Sequence, residues 1–161
     1  MREIRHYNLI FPLIITIFLP PFIIIPLVGN LLIDGMVYYI LLHQLTRLPK
    51  FPQLVRMVLP AWIIGFVADI LGVTLLIAAS ELLPLNLDLI GIWTNIPTII
   101  IVVLVIMLVG FIIYRLNLWL LWRQGIELEI CIIIALAMGI VTAPWFFLIP
   151  TTWFKALMST L

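Results

Sequence analysis

The chain has 161 residues, of which 66% are hydrophobic and only 9% charged, with a formal net charge of +1. No domain folded in water hides that much apolar surface, whereas a bilayer solvates it, so the composition places the chain among helical membrane proteins. The small net charge leaves no case for nucleic acid, continuous apolar runs exclude the alternating pattern of a β-barrel, and one cysteine, Cys131, supports neither an internal disulfide nor a paired-thiol redox site.

Residues 1–8 are polar and carry Arg2, Glu3, Arg5 and His6; apolar sequence then runs from 9 to 42. That is far more than the ~20 residues one span requires. Pro12, Pro20, Pro21 and Pro26, followed by Gly29 and Asn30, interrupt it, and adjacent prolines remove backbone donors and distort a helix. Two arrangements fit: one long kinked crossing, or a hairpin. In the hairpin, residues 9–25 form a Pro-broken or re-entrant arm, the chain turns near 26–30, and 27–48 returns as the first principal span. With no small-x-small cleavage site, the first span is expected to act as an uncleaved insertion signal.

Loop charge favours the hairpin. The connection at 43–56 carries Arg47, Lys50 and Arg56, and that at 115–129 carries Arg115 and Arg123. Residues 80–95 hold Glu81 and Asp88 and no Lys or Arg. The positive-inside rule puts the first two connections in the cytoplasm and the acidic one outside, and the hairpin places Arg2 and Arg5 inside as well. The remaining spans are read at 57–83, 96–122 and 128–149. The third run is nearly pure Ile, Val and Leu, so it is expected to face lipid over much of its surface. Its end, from Tyr114 to Arg123, mixes aromatics with arginines as an interfacial belt does. Residues 151–161 fit a short helix lying in the outer interface. The expectation is a single all-α membrane domain over residues 1–161, a polytopic bundle of four principal transmembrane helices.

Chemistry in such a chain is sought where polar groups enter apolar runs. Gly65, Ala68, Asp69 and Gly72 are spaced i, i+3, i+4 and i+7 and share one helix face. Small residues let another backbone come close, and a carboxylate in hydrocarbon must face protein, a partner or water. Asp34 lies about as far before the 43–56 connection as Asp69 lies after it, so an antiparallel pair brings both to similar depth. Asn30, four residues before Asp34, adds an amide to the same face. The candidate binding residues are therefore Asn30, Asp34, Asp69, Gly65, Ala68 and Gly72. The functional reading is a polar site inside the bundle with one carboxyl protonated; the bland readings are capping of freed backbone groups and helix-to-helix glue.

Gly29-Asn30 to Asp34, and Phe66-Val67-Ala68-Asp69, resemble fragments of the Asn-x-x-Asp-Arg and Phe-Asn-x-Ala-Asp motifs of lipoprotein signal peptidases. That resemblance implies a four-span intramembrane aspartyl peptidase using Asp34 and Asp69. The chain departs from the pattern: Asn30 stands one residue farther from Asp34, Gly35 takes the Arg position and Val67 the Asn position, and the motifs fall early in the chain. Other enzyme signatures are absent from the sequence. His6 and His43 sit at polar ends with no metal spacing, Ser80 has no paired histidine, and no phosphate loop or cofactor motif occurs. The expectation is a non-enzymatic multi-pass protein of a plasma or inner membrane, a subunit or accessory protein that contacts lipid and other membrane chains or itself. The alternative is a small oligomeric transporter or channel in which Asp34 and Asp69 handle protons or a cation.

Overall fold

A computed structural model describes residues 24–45, 51–89 and 91–149. They form four α-helices and two short 3-10 turns, with no strand among the described residues. The helices are α1 (Ile24–Leu45), α2 (Phe51–Leu82), α3 (Ile96–Arg123) and α4 (Leu128–Val141). The 3-10 turns, Ile92–Thr94 and Trp145–Leu148, precede α3 and follow α4.

α1 corrects the turn placed near residues 26–30, because the helix passes through Gly29 and Asn30 without a break. A glycine inside a helix costs only about 1 kcal/mol relative to alanine, and two contacts hold this stretch against α2. The Trp62 indole N–H donates to the Leu27 carbonyl at 2.9 Å, and the Asn30 amide donates to Asp69 at 3.0 Å. The arm at 9–25 falls outside the described residues except for its last two, and the tail at 151–161 falls outside them entirely. α2 is helical from Phe51, so residues 51–56 belong to a helix and not to the connection read from their charge. Pro52 suits a first turn, where a missing N–H is no loss.

α3 starts with Asn95 before it and a proline in its first two positions, and it ends at Gln124 and Gly125. Gly125 takes φ 78°, a left-handed turn residue. The 128–149 run is divided: α4 stops at Val141, and Pro144, which lacks an N–H, opens the turn that follows. Three stretches are long and apolar enough to cross a membrane: Phe51–Leu82, Ile96–Arg123 and Leu128–Leu148.

α1 packs on α2, α2 on α3 and α3 on α4, while α4 also touches α1, so the four helices close a ring around one core. α3 is a hub of that ring. Val102, Ile106, Val109 and Ile113 on one of its faces are buried, while Ile100, Leu104, Met107 and Phe111 lie exposed opposite them. The expectation of a helix facing outward over much of its surface holds for that second face only. Where α3 crosses α4, Gly110 and Gly139 meet backbone to backbone: a Cβ at either would stand 2.7 Å from the other's carbonyl oxygen.

That distance makes a prediction. Alanine normally improves a helix over glycine, but Gly110→Ala and Gly139→Ala must push the two backbones apart and should destabilise by roughly 1–3 kcal/mol. Gly29, with nothing within 4 Å of its Cβ position, should accept alanine and gain stability. Thermal unfolding in detergent compares the three variants. A gain at Gly110 as large as that at Gly29 would reject the crossing.

Candidate functional site

The polar residues of α1 recur at Asn30, Asp34 and Tyr38, four residues apart, and this spacing aligns them on one helix face. That face is turned inward. Asp34 and Tyr38 are 1% and 0% exposed, whereas Leu32, Met36 and Tyr39 on the same helix are at least half exposed. α2 answers with its small face, and Gly65, Ala68, Asp69 and Gly72 are all buried.

The two helices run antiparallel and meet in a definite register. Asn30 Nδ2 donates to Asp69 Oδ2 at 3.0 Å, which sets those residues level with one another. One turn along, the position a Cβ would occupy on Gly65 lies 3.6 Å from Asp34 Oδ2. Asp34 is thus level with Gly65, and the two carboxyls are offset by about one turn, near 5 Å, along the helix axes.

The hydrogen bonding of the pair is incomplete. Asp34 Oδ1, Asp34 Oδ2 and Asp69 Oδ1 are buried without a donor among the described residues. Buried polar atoms are nearly always satisfied, and each that is not costs about 1–3 kcal/mol, more if charged. Gly35 and Val58 continue the α1–α2 contact below the carboxyls, with 3.8 Å from the glycine's Cβ position to Val58 Cγ1. Gly72 serves a different neighbour: its Cβ position lies 2.8 Å from the Phe147 ring and 3.2 Å from Val109. The small face of α2 therefore splits, its first half admitting the α1 carboxylate and its second half seating the turn after α4 against α3.

Sequence reasoning missed the partner of Tyr38. Its hydroxyl donates to Asn117 Oδ1 at 2.7 Å, and Asn117 Nδ2 donates to the Ile113 carbonyl at 2.9 Å. Asn117 is fully buried, which corrects its assignment to the interfacial belt. A lone amide within an apolar helix was the signal, hidden by the arginines and tryptophans on either side. Trp119 and Trp122 of the same stretch are exposed, and Arg123 stacks on Trp119 with 4.7 Å from its Cζ to the ring centroid. His43 is exposed with its ring near Tyr39, and no His, Cys, Asp or Glu cluster of metal-binding size occurs among the described residues. Asp88 ties together the connection between α2 and α3, accepting from Gly91 N at 2.9 Å while its own N–H donates to Thr98 Oγ1 at 2.9 Å.

Comparison with protein-family models, with curated proteins and with solved structures finds no match. The fragments around Asp34 and Asp69 are thus the whole of the resemblance to lipoprotein signal peptidases.

The Tyr38–Asn117 bond spans the core from α1 to α3 and yields a testable cycle. Tyr38→Phe strands a buried amide oxygen and should cost about 1–3 kcal/mol. Adding Asn117→Leu removes the stranded group, and the double variant should recover most of the loss. Unfolding of the four proteins of the cycle in detergent measures it, and strictly additive losses would show that the two side chains do not interact.

Proposed function

We propose that this chain is a four-span membrane protein that binds a proton or small cation between Asp34 and Asp69 and carries it across the bilayer. The observation that supports the reading is the pair of carboxyls, 1% and 5% exposed, with three of their four oxygens lacking a donor among the described residues. A bundle built only to pack would place apolar side chains there at less cost. Ionisable groups inside spans mark ion and proton pathways more often than they serve as packing.

α1 is the fourth span of this reading. Its 22 residues reach about 33 Å, enough for a hydrocarbon core of about 30 Å. Its carboxylate and amide turn toward α2, while Leu32, Ile33 and Ile40 turn out. The cationic residues within 43–56 and 115–129 mark the cytoplasmic ends of the helices, and the acidic residues within 80–95 the external end. The location is a plasma or inner membrane, and four helices of this size operate as an oligomer or with other membrane chains.

The subunit or accessory reading places a partner chain on these polar faces. Burial argues for the ion-handling reading instead, since the polar residues of α1 and α2 meet each other inside the chain and leave large apolar side chains outside. Peptidase chemistry needs a peptide and a water between the carboxyls, and a pair this deeply covered offers a peptide no approach.

Flux into proteoliposomes containing the purified chain tests the proposal. Asp34→Asn and Asp69→Asn keep shape and hydrogen-bonding capacity, so both variants should fold and reconstitute. Each should lower pH-dependent uptake by at least roughly tenfold, the effect of removing an essential proton-transfer group. Folded wild-type protein without flux across a pH series, or Asn variants with full flux, would remove the reading.

A further inference from the structure

The exposed side of α3 changes character part-way along. Leu104, Leu108 and Phe111 follow one another on its outer face at steps of three or four residues, and the same stripe continues as Arg115, Trp119 and Arg123. All six are exposed. Arg115 therefore shares the face that carries large apolar side chains outward.

Neither arginine has an ionic partner within the bundle. Arg123 lies over the Trp119 ring, 4.7 Å from its centroid, and no carboxylate pairs with Arg115 or Arg123 among the described residues. Glu127 and Glu129 are close in sequence, but they stand at the start of α4, where the positive end of the helix dipole favours them. A guanidinium on an apolar face lowers its desolvation cost by reaching water or an anion. The anion that a bilayer supplies is a phosphate diester, which a guanidinium can bind through two parallel N–H···O bonds.

The length of α3 sets the depth of these groups. Trp93, exposed just before the helix, is of the type that sits at a membrane interface. From Ile96 to Arg115 the helix rises about 29 Å, which matches the thickness of a hydrocarbon core. Arg115 then falls at the far boundary, and the two turns onward to Arg123, about 12 Å, cross the headgroup layer. In the orientation proposed above that boundary belongs to the cytoplasmic leaflet, the one that carries anionic lipid.

We propose that Arg115, Trp119 and Arg123 form a docking surface for the headgroup of an anionic phospholipid. The guanidiniums bind its phosphate, and the Trp119 ring holds the Arg123 side chain in place. The inference rests on the membrane placement of α3 in the reading above and is independent of ion handling by the carboxyls. A zwitterionic lipid offers the same phosphate together with an ammonium group, which unpaired arginines repel, so the surface distinguishes the two lipid classes.

Spin-label resonance of the full chain in phosphatidylcholine vesicles tests the surface, with trace amounts of chain-labelled phosphatidylglycerol or phosphatidylcholine. Lipid held against protein gives a motionally restricted component, and its ratio for the two labels is the selectivity. Wild-type protein should prefer phosphatidylglycerol by at least about fivefold at low salt, the effect of one well-placed cation, and less at high salt. Arg115→Gln with Arg123→Gln should bring the two lipids to parity, and Trp119→Leu should lower the preference part-way by releasing Arg123. These side chains are exposed, so the variants should unfold thermally as wild-type protein does. Arg56→Gln, which removes an exposed cation of α2, should leave the preference in place. A preference unchanged in the double arginine variant, or lost as fully in Arg56→Gln, overturns the surface. Displacement of labelled phosphatidylglycerol by inorganic phosphate beyond that by chloride at equal ionic strength also overturns it, in favour of free phosphate. A restricted component without preference between the labels overturns the inference and keeps α3 in the bilayer. No restricted component with either label overturns the membrane placement as well.

Discussion

The hydrogen bond from Asn30 to Asp69 fixes how α1 lies on α2, and much else follows from that register. It is made across a helix interface where Gly35, Val58, Gly65 and Ala68 are small or apolar and do not themselves distinguish one turn of sliding from the next. A buried amide–carboxylate bond does, because sliding one turn leaves both partners unsatisfied in a medium with no substitute. With Asn30 level with Asp69, Asp34 must fall opposite Gly65, and Tyr38 a further turn along comes within reach of α3. The Trp62 indole bond to the Leu27 carbonyl braces the same pair from its outer side.

α3 and α4 form the most closely packed pair of the bundle. Their Gly110–Gly139 crossing brings backbones into contact, as small residues allow where helices associate without a hydrophobic drive between them. Against that unit the second half of the α2 small face closes on Phe147 and Val109. The contrast between the two halves is informative. Gly72 and Gly110 are small because something occupies the place of their side chain; Gly65 is small and meets one carboxylate oxygen at ordinary distance. The first two glycines make room for a ring and a backbone, and the third makes room for the Asp34 carboxylate.

The helical class, the inward face of α2 and the burial of Asp34 and Asp69 were legible in the sequence because each rests on local periodicity or on the cost of charge in an apolar run. Gly65, Ala68, Asp69 and Gly72 share a face by spacing alone, and the fold buries all four. The turn at 26–30 was misread because Gly-Asn signals a turn only when no tertiary contact outweighs a cost near 1 kcal/mol. Trp62 and Asp69, more than thirty residues away, provide that contact. Asn117 was misread for a similar reason: its neighbours Arg115 and Trp119 do lie outside, and only the arrival of Tyr38 from α1 shows why the amide does not. Such errors share one cause, since a residue's face is set by periodicity but its partner is set by the other helices.

The unequal surroundings of the two carboxyls also assign them unequal work. Asp69 keeps one oxygen bonded to Asn30, and that bond holds the register of α1 on α2, so any change in its charge reaches the helix interface directly. Asp34 bonds to nothing among the described residues and faces a glycine, so its charge can change with less consequence for the packing around it. One carboxyl is tied into the fold and the other has no bond among the described residues, a division that the proposed ion handling would use. The interior of the bundle provides both within about one turn of helix, between helices whose outer faces carry large apolar side chains.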